Sequence, residues 1–345
     1  MNLPTRVSFL FLLLAQSVPA EEIDWSRATA LRQLSMKGQT LSEEDRAYLD
    51  QAIAVRTAGR MTRESDSTRG DGTGERRTVE PVTVSEELSP VQTFTATSSD
   101  GYSLEIPYRA PKAERPLPAM VFFHGGLGQL KPRELMQCPM SHPTHTRFLK
   151  EGFVSVSATF RTYGREPQSQ GPILDAVAIV QQVKKLPEVD PERVILFGGS
   201  GGGSIVLELA SRSEVSPLAV VAGEPATVLY TGLMTSIANR EESMRDCLTL
   251  YSERHRLHTE RKMAAISCPI LIHHGDVHPL KKINFEIVFP GIQKAGKSMV
   301  IKKYPGQQHG FYWGNHTDEA TLELVVANTV EFLAPLLGDM APLGP

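Results

Sequence analysis

The sequence predicts an α/β fold: a doubly wound, mostly parallel sheet. Short, almost entirely apolar runs that end in glycine or polar residues recur after residue 81. Segments of helical length and composition separate these runs. Near-continuous apolar strands are typical of parallel sheets that helices cover on both faces, and such folds bind ligands at the carboxyl ends of their strands.

Eight strands are expected. The first two, "VQTFTATS" and "YSLEIPYRA", are predicted to be antiparallel, since the second alternates apolar and polar positions. Six apolar runs follow in chain order: "AMVFFHGG", "FVSVSATF", "RVILFGGS", "PLAVVAGE", "PILIHHGD" and "SMVIKKYPG". The helical segments between and after them are 144–151, 171–186, 203–212, 284–296 and 316–335. Residues 224–266 interrupt the alternation with a charged, mostly helical stretch, which predicts a short cap insertion.

The segments that precede this domain, predicted at 81–345, carry other signals. Residues 1–20 contain Arg6, an apolar run and Ala20 before two glutamates, the order of a signal peptide. The apolar run is shorter than the roughly 20 residues that span a bilayer, although an uncleaved anchor is the alternative. We therefore expect an exported protein, periplasmic or secreted. No later segment looks long enough to span a membrane, so no stable span is expected after cleavage.

Residues 21–58 are expected to form a helical hairpin in which Ser42 caps the second helix. Residues 59–80 are polar and nearly free of large apolar side chains, which predicts a flexible linker. Among 345 residues the net charge is −3, which gives no electrostatic reason to expect nucleic-acid binding. Three cysteines allow at most one disulfide, and we expect none. The sequence does not determine an oligomeric state.

The stretch "LFGGSGGGSIVLELA" has the composition of a linker but also fits G-x-S-x-G, a strand-to-helix turn that presents a nucleophilic serine. A buried-strand run precedes it and a helical run follows, which favours the turn. Gly198 and Gly202 flank Ser200 at the two positions where side chains would be too bulky. The amide of Gly201 would lie at a helix N-terminus. No P-loop lysine follows, and no register gives G-x-G-x-x-G.

Three stretches, "VFFHGG", "DPERVILFGGSGGG" and "YPGQQHGF", resemble the α/β-hydrolase family. The resemblance is to the branch of dienelactone hydrolases, acyl esterases and the catalytic domains of prolyl-oligopeptidase-like peptidases, and it covers residues 85–337. It implies a Ser-His-acid triad that works through an acyl-enzyme without a cofactor.

The same resemblance implies roles for several residues. Gly125 or Gly126, with Gly201, would supply the backbone amides of an oxyanion hole. His309, after the last strand and after Ser200 in chain order, would be the general base. His124 is expected to brace its loop.

The acid is where the sequence departs from the family pattern. His278 stands at the usual position of the acid, and Asp276 lies two residues earlier in the same loop. We expect Asp276 to orient His309, because the order Ser200, Asp276, His309 matches the family. Glu224, at the end of the preceding strand, is the alternative acid.

A metal site built from His273, His274, Asp276 and His278 is also conceivable. Adjacent residues on a strand point to opposite faces, so His273 and His274 would not converge on one ion. We therefore expect no metal.

Together these features predict an exported serine hydrolase acting on a carboxylic ester, either a small molecule or one linked to carbohydrate. One alternative is a prolyl-oligopeptidase-like peptidase without the propeller domain, for which the chain has no room. The other is an inactive binding protein that has kept the fold.

Overall fold

The computed structural model describes residues 27, 31, 42, 44–48, 88–164, 170–234, 237–277, 280–314 and 317–338. The chain divides into two compact units, Met1–Glu75 and Arg76–Pro345. In the first unit, residues 44–48 are helical, and the Asp45 amide donates to Ser42 Oγ at 3.1 Å, as the predicted cap requires. The expected signal peptide (1–20), the linker (59–80) and most of the hairpin (21–58) lie outside the described residues.

In the second unit, one eight-stranded sheet has the order β1-β2-β4-β3-β5-β6-β7-β8. The pairs β1–β2 and β2–β4 are antiparallel, and every other pair is parallel. The strand bounds are β1 Gln92–Thr97, β2 Ser103–Arg109, β3 Leu117–Phe123, β4 Val154–Ala158, β5 Val189–Gly199, β6 Ala219–Gly223, β7 Ile270–Val277 and β8 Met299–Gln308.

Helices follow most of the strands and cover the sheet. Their bounds are α1 Pro132–Ser141, α2 Pro143–Lys150, α3 Gly171–Val183, α4 Gly201–Ala210, α5 Thr227–Tyr230, α6 Arg240–Arg245, α7 Cys247–Leu250, α8 Glu253–Ala265, α9 Lys281–Ile283, α10 Phe289–Lys294 and α11 Glu319–Leu337. A π-helical turn, Asn284–Val288, joins α9 to α10. Helices α5 to α8 all lie between β6 and β7, in the stretch where the sequence predicts a cap.

The hydrophobic core has two parts, one on each face of the sheet. Alternate residues of β3 divide between them: Val121 and Phe123 belong to one cluster, Met120 and Phe122 to the other. The predicted doubly wound, mostly parallel α/β fold is therefore confirmed. Cys138, Cys247 and Cys268 are free thiols.

The C-terminal helix α11 lies where the sequence predicts a helix, over 316–335, but it also meets the criteria for a possible membrane span, which the sequence-based prediction did not expect. With 19 residues, it is long and apolar enough, by those two criteria alone, to cross a membrane. Its buried residues follow a helical spacing along one face: Leu322, Val325, Val326, Thr329, Leu333 and Leu337. Four of them belong to the core cluster on one sheet face, so in this structure α11 is a core helix.

Candidate active site

Ser200 occupies a sharp turn between β5 and α4. Its backbone has a positive φ (φ 51°, ψ −111°), a strained conformation for a residue with a side chain. The turn is also tightly packed. A Cβ on Gly198 would lie 2.2 Å from the Gly202 carbonyl oxygen, and one on Gly202 would lie 2.1 Å from the Phe123 oxygen. Only glycine fits these two positions, which explains the G-x-S-x-G spacing.

The loop after β3 lies directly against this serine turn. A Cβ on Gly125 would be 3.4 Å from the Ser200 Cβ, and one on Gly201 would be 2.2 Å from the Gly126 oxygen. Gly126 has a φ of 84°, which favours glycine. The amides of Gly125 and Gly126 form no hydrogen bond with another described residue. The structure thus brings all three predicted oxyanion-hole glycines to the serine.

His124 holds this loop in place. Its Nδ1 donates to the Gly125 oxygen at 2.7 Å, and its Nε2 accepts from Thr159 Oγ1 at 3.0 Å. The ring stacks on Phe160 with the centroids 4.5 Å apart. Burial lowers the pKa of His124, so the ring stays neutral near pH 7. His124 therefore braces the loop, as the sequence predicts.

His309 lies just beyond the end of β8, and its partner is Glu224. The His309 Nδ1 is 2.8 Å from Glu224 Oε2. Glu224 is completely buried, whereas 39% of the His309 side chain is exposed. Because a carboxylate only accepts hydrogen bonds, Nδ1 carries the proton and Nε2 is left as the basic nitrogen. The buried acid thus orients the imidazole.

The expected contact between Asp276 and His309 is not formed, and this corrects the sequence-based choice of acid. Asp276 is exposed, and its Oδ1 accepts from the Gly306 amide at 2.7 Å. The neighbouring Gly275 is the residue that contacts Glu224. Successive residues of a strand point to opposite sides, so Asp276 is directed away from the acid position. His278 lies outside the described residues.

Backbone amides fix the Glu224 carboxylate. Gly275 donates to Oε1 at 3.2 Å, and Gly310 donates to Oε2 at 3.1 Å. A side chain on Gly275 would collide with the carboxylate, because its Cβ would be 2.9 Å from Oε1. Glu224 also has a left-handed backbone, with a φ of 42°. A non-glycine residue with this φ is costly and persists only where the surroundings hold it.

A buried asparagine supports the residues on either side of this acid. Asn284 Nδ2 donates to the Pro225 oxygen at 3.2 Å and to His274 Nε2 at 3.1 Å. Its Oδ1 accepts from the Thr227 hydroxyl. Pro225 directly follows Glu224, and His274 directly precedes Gly275. Asn284 therefore ties the β6 end to the β7 end. Nothing in its sequence context pointed to this role.

Two aromatic residues after His309 pack against the glycines of the site. A Cβ on Gly199 would lie 2.3 Å from Trp313 Nε1, and one on Gly223 would lie 2.5 Å from the Tyr312 ring. The His309 and Tyr312 rings meet edge to face at 6.2 Å. Burial and the nearby Glu224 raise the Tyr312 pKa well above its ordinary value. Sequence reasoning missed both residues, although both closely follow the His-Gly pair.

The adjacent histidines of β7 have separate hydrogen-bond partners. His273 Nδ1 is 2.8 Å from the Tyr304 hydroxyl, and its Nε2 is 2.9 Å from Thr329 Oγ1. His274 bonds instead to the Gly275 oxygen and to Asn284. Within the described ranges, no group of three or more His, Cys, Asp or Glu residues is arranged to hold a metal ion.

Solved structures with this fold include esterase 2 from Thermogutta terrifontis. Its apo form has a TM-score of 0.57 at 20% identity, covering 73% of this chain and 96% of the esterase. The paraoxon-phosphorylated form has a TM-score of 0.55 at 19% identity, with the same two coverages. The propionate-bound form has a TM-score of 0.53 at 21% identity, covering 74% and 97%. At these identities, the likeness supports the fold alone.

The family comparison goes further than the structural one. Residues 152–335, more than half of the chain, match the model of the prolyl oligopeptidase family. The match includes the serine turn, the buried acid and the histidine loop. The chain therefore belongs to the prolyl oligopeptidase family of serine hydrolases and has the α/β-hydrolase fold.

Proposed function

We propose that this protein is a carboxylic ester hydrolase with Ser200, His309 and Glu224 as its catalytic triad. The observation that carries the proposal is the 2.8 Å contact between His309 Nδ1 and the fully buried Glu224 carboxylate. That contact leaves Nε2 basic on a histidine that follows β8, while Ser200 stands in a strained turn after β5.

The reaction is acyl transfer through a covalent intermediate. His309 removes the proton from Ser200 Oγ as this oxygen attacks the ester carbonyl carbon. The amides of Gly201 and of Gly125 or Gly126 stabilise the negative oxygen that forms. The bond to the alcohol then breaks, and the alcohol leaves with the proton from His309. Water, activated by the same histidine, releases the carboxylic acid and restores Ser200.

A small acyl group is the favoured substrate, because Thermogutta esterase 2 has been solved with propionate and with butyrate bound. Family membership makes a peptide bond the second candidate. A panel of p-nitrophenyl acetate, propionate and butyrate, set against aminoacyl p-nitroanilides, separates the two. We expect kcat/KM to be higher for the esters. Turnover of anilides with no ester hydrolysis would favour the peptidase.

Labelling with a fluorophosphonate probe tests whether Ser200 is activated at all. The wild type should be labelled and Ser200→Ala should not, while kcat for p-nitrophenyl acetate falls by about 10³-fold or more in the variant. A folded wild type that is neither labelled nor active would identify an inactive binding protein. We further propose export, and N-terminal sequencing of protein from the extracytoplasmic fraction should begin at Glu21.

A further inference from the structure

A cavity of about 940 Å³ opens between the cap helices and the segment that follows β7. Helix α6 forms one wall, and α9 with the π-helical turn forms the other. The side chains that line it are Arg240, Glu241, Met244, Arg245, Lys281, Lys282, Phe285 and Glu286. Ligand sites commonly enclose about 300–1,000 Å³, so this volume suits a small molecule.

The cavity lies at the same edge of the sheet as the triad. The Phe285 ring meets the His274 ring edge to face, with the centroids 4.9 Å apart. His274 is followed by Gly275, whose amide contacts the Glu224 carboxylate. On the same side, Lys281 Nζ lies 3.5 Å from the backbone carbonyl oxygen of Asp276. The cavity therefore lies beside the end of β7, at the same carboxyl edge of the sheet as Ser200, Glu224 and His309.

Positive charge predominates in the lining, although the whole chain has a net charge of −3. Four cationic side chains face two carboxylates. Arg245 is paired with Asp246 at 2.8 Å, which lowers its contribution. Within the described part of the chain, no ion pair includes Arg240 or Lys282, nor the two lining carboxylates, so the lining keeps a small positive excess. Positive charge lining a cleft raises the local concentration of anionic ligands.

The cavity also offers an apolar surface. Met244 and Phe285 are half-buried between the charged residues. A lining that combines cationic side chains with an apolar surface suits a ligand that has both a carbon framework and negative groups, rather than a bare ion.

We propose that this cavity binds a carboxylate-bearing part of the ester substrate while the reacting carbonyl lies at Ser200. This inference rests on the proposed esterase function and specifies its substrate class. Arg240 and Lys282 are specificity-determining residues in this arrangement. They contact the part of the substrate that does not react, so replacing them should change mainly KM.

The test compares two substrates that differ only in charge: mono-O-acetylated digalacturonate and mono-O-acetylated galactobiose, which has CH₂OH in place of each carboxylate. The wild type should prefer the uronide by about tenfold in kcat/KM at low ionic strength. This preference should shrink in 0.5 M NaCl, because salt screens partly exposed charges. The double variant Arg240→Gln/Lys282→Gln should lower the uronide-to-neutral ratio about tenfold, chiefly through KM.

The matched control removes one lysine and one arginine that do not line the cavity, Lys112→Gln and Arg254→Gln. Both residues are exposed, and Arg254 lies on the cap helix α8. This pair should leave the ratio unchanged. A wild type without preference for the uronide, or a ratio that both double variants change equally, would overturn the proposal.

A binding measurement keeps this inference separate from the proposed function. Titration calorimetry of digalacturonate into Ser200→Ala should show binding that weakens about tenfold when Arg240 and Lys282 are also replaced. If Ser200 is not labelled and no ester is cleaved, the esterase proposal fails, and the calorimetry still decides the cavity. Absence of digalacturonate binding to Ser200→Ala would overturn the cavity assignment by itself.

Discussion

Replacing Glu224 by glutamine should reduce catalysis severely, because the carboxylate accepts hydrogen bonds from three N–H groups. These donors are His309 Nδ1 at 2.8 Å, Gly310 N at 3.1 Å and Gly275 N at 3.2 Å. A glutamine has one acceptor oxygen and one NH₂ group. If its oxygen faces His309, its NH₂ opposes the Gly275 amide, and the imidazolium loses its counter-charge. If the glutamine oxygen faces Gly275 instead, its NH₂ group points at His309 Nδ1. Nδ1 must then accept a hydrogen bond, so the ring proton lies on Nε2.

In one orientation the imidazolium has no counter-charge, and in the other Nε2 already carries the proton and cannot act as the base. Loss of the acid in a Ser-His-Asp triad costs up to about 10⁴-fold in kcat. We expect a decrease between about 10²- and 10⁴-fold for Glu224→Gln, which is about 2.7–5.4 kcal/mol of activation free energy. The assay is p-nitrophenyl acetate hydrolysis at saturating substrate, with thermal melts to verify that the variant folds.

Asp276→Asn is the matched control, because it makes the same chemical change on the neighbouring strand. Asparagine retains an oxygen that can accept from Gly306 N, so kcat should stay within about threefold of wild type. The assignment is refuted if Asp276→Asn is the crippled variant while Glu224→Gln remains active. If both variants are active, the enzyme works as a Ser-His dyad.

Two further predictions concern stability. Gly199→Ala should lower the free energy of unfolding by about 1–3 kcal/mol, since its Cβ would lie 2.3 Å from Trp313 Nε1. Gly164→Ala is the control in urea titrations, because a Cβ at Gly164 would meet no atom within 4 Å. If both variants lost the same unfolding free energy, the packing argument would be contradicted. Burial lowers the pKa of His142 to about 4 and that of His273 to about 3. Both histidines are neutral when folded, whereas the unfolded chain takes up these protons below about pH 6.5. Stability should therefore fall as the pH drops from about 6.5 to 4, by up to about 1.4 kcal/mol per pH unit for each histidine. His142→Phe should reduce the slope of the unfolding free energy against pH, and an unchanged slope would contradict the contribution assigned to His142.

The fold was predictable because its signals are local. Each strand of the parallel part is an apolar run bounded by glycine or polar residues, and the serine turn combines a strand, a glycine spacing and a helix in one stretch. Each of these signals lies within about ten residues of chain. The helix α11 was predictable in the same way: the sequence indicates a helix over 316–335, and the structure has it at Glu319–Leu337, with three glutamates among its polar positions.

The contact between Glu224 and His309 was not predictable in the same way, because it depends on side-chain direction at two neighbouring strand ends. Asp276 and Glu224 both stand at the carboxyl edge of the sheet. A register shift between Gly275 and Val277 in the β7–β8 pairing accompanies the turn of Asp276 toward Gly306. The left-handed φ of 42° at Glu224 gives no sequence signal, since glutamate rarely adopts it. Only the folded register distinguishes the two carboxylates.

The position of the acid also bears on the cavity beyond β7. With Glu224 on β6 contacting His309, the segment after Gly275 does not have to hold a carboxylate against the histidine. That segment instead leads through the Asp276–Gly306 contact to Lys281 and Lys282, which line the cavity. The cavity lining already includes two carboxylates, Glu241 and Glu286. The Glu224 carboxylate adds no exposed negative charge there, because it is buried and hydrogen-bonded to three N–H groups. With Glu224 proposed as the acid, Asp276 need not orient His309, and the uronide test measures whether Lys282, farther along the same segment, contributes to substrate binding.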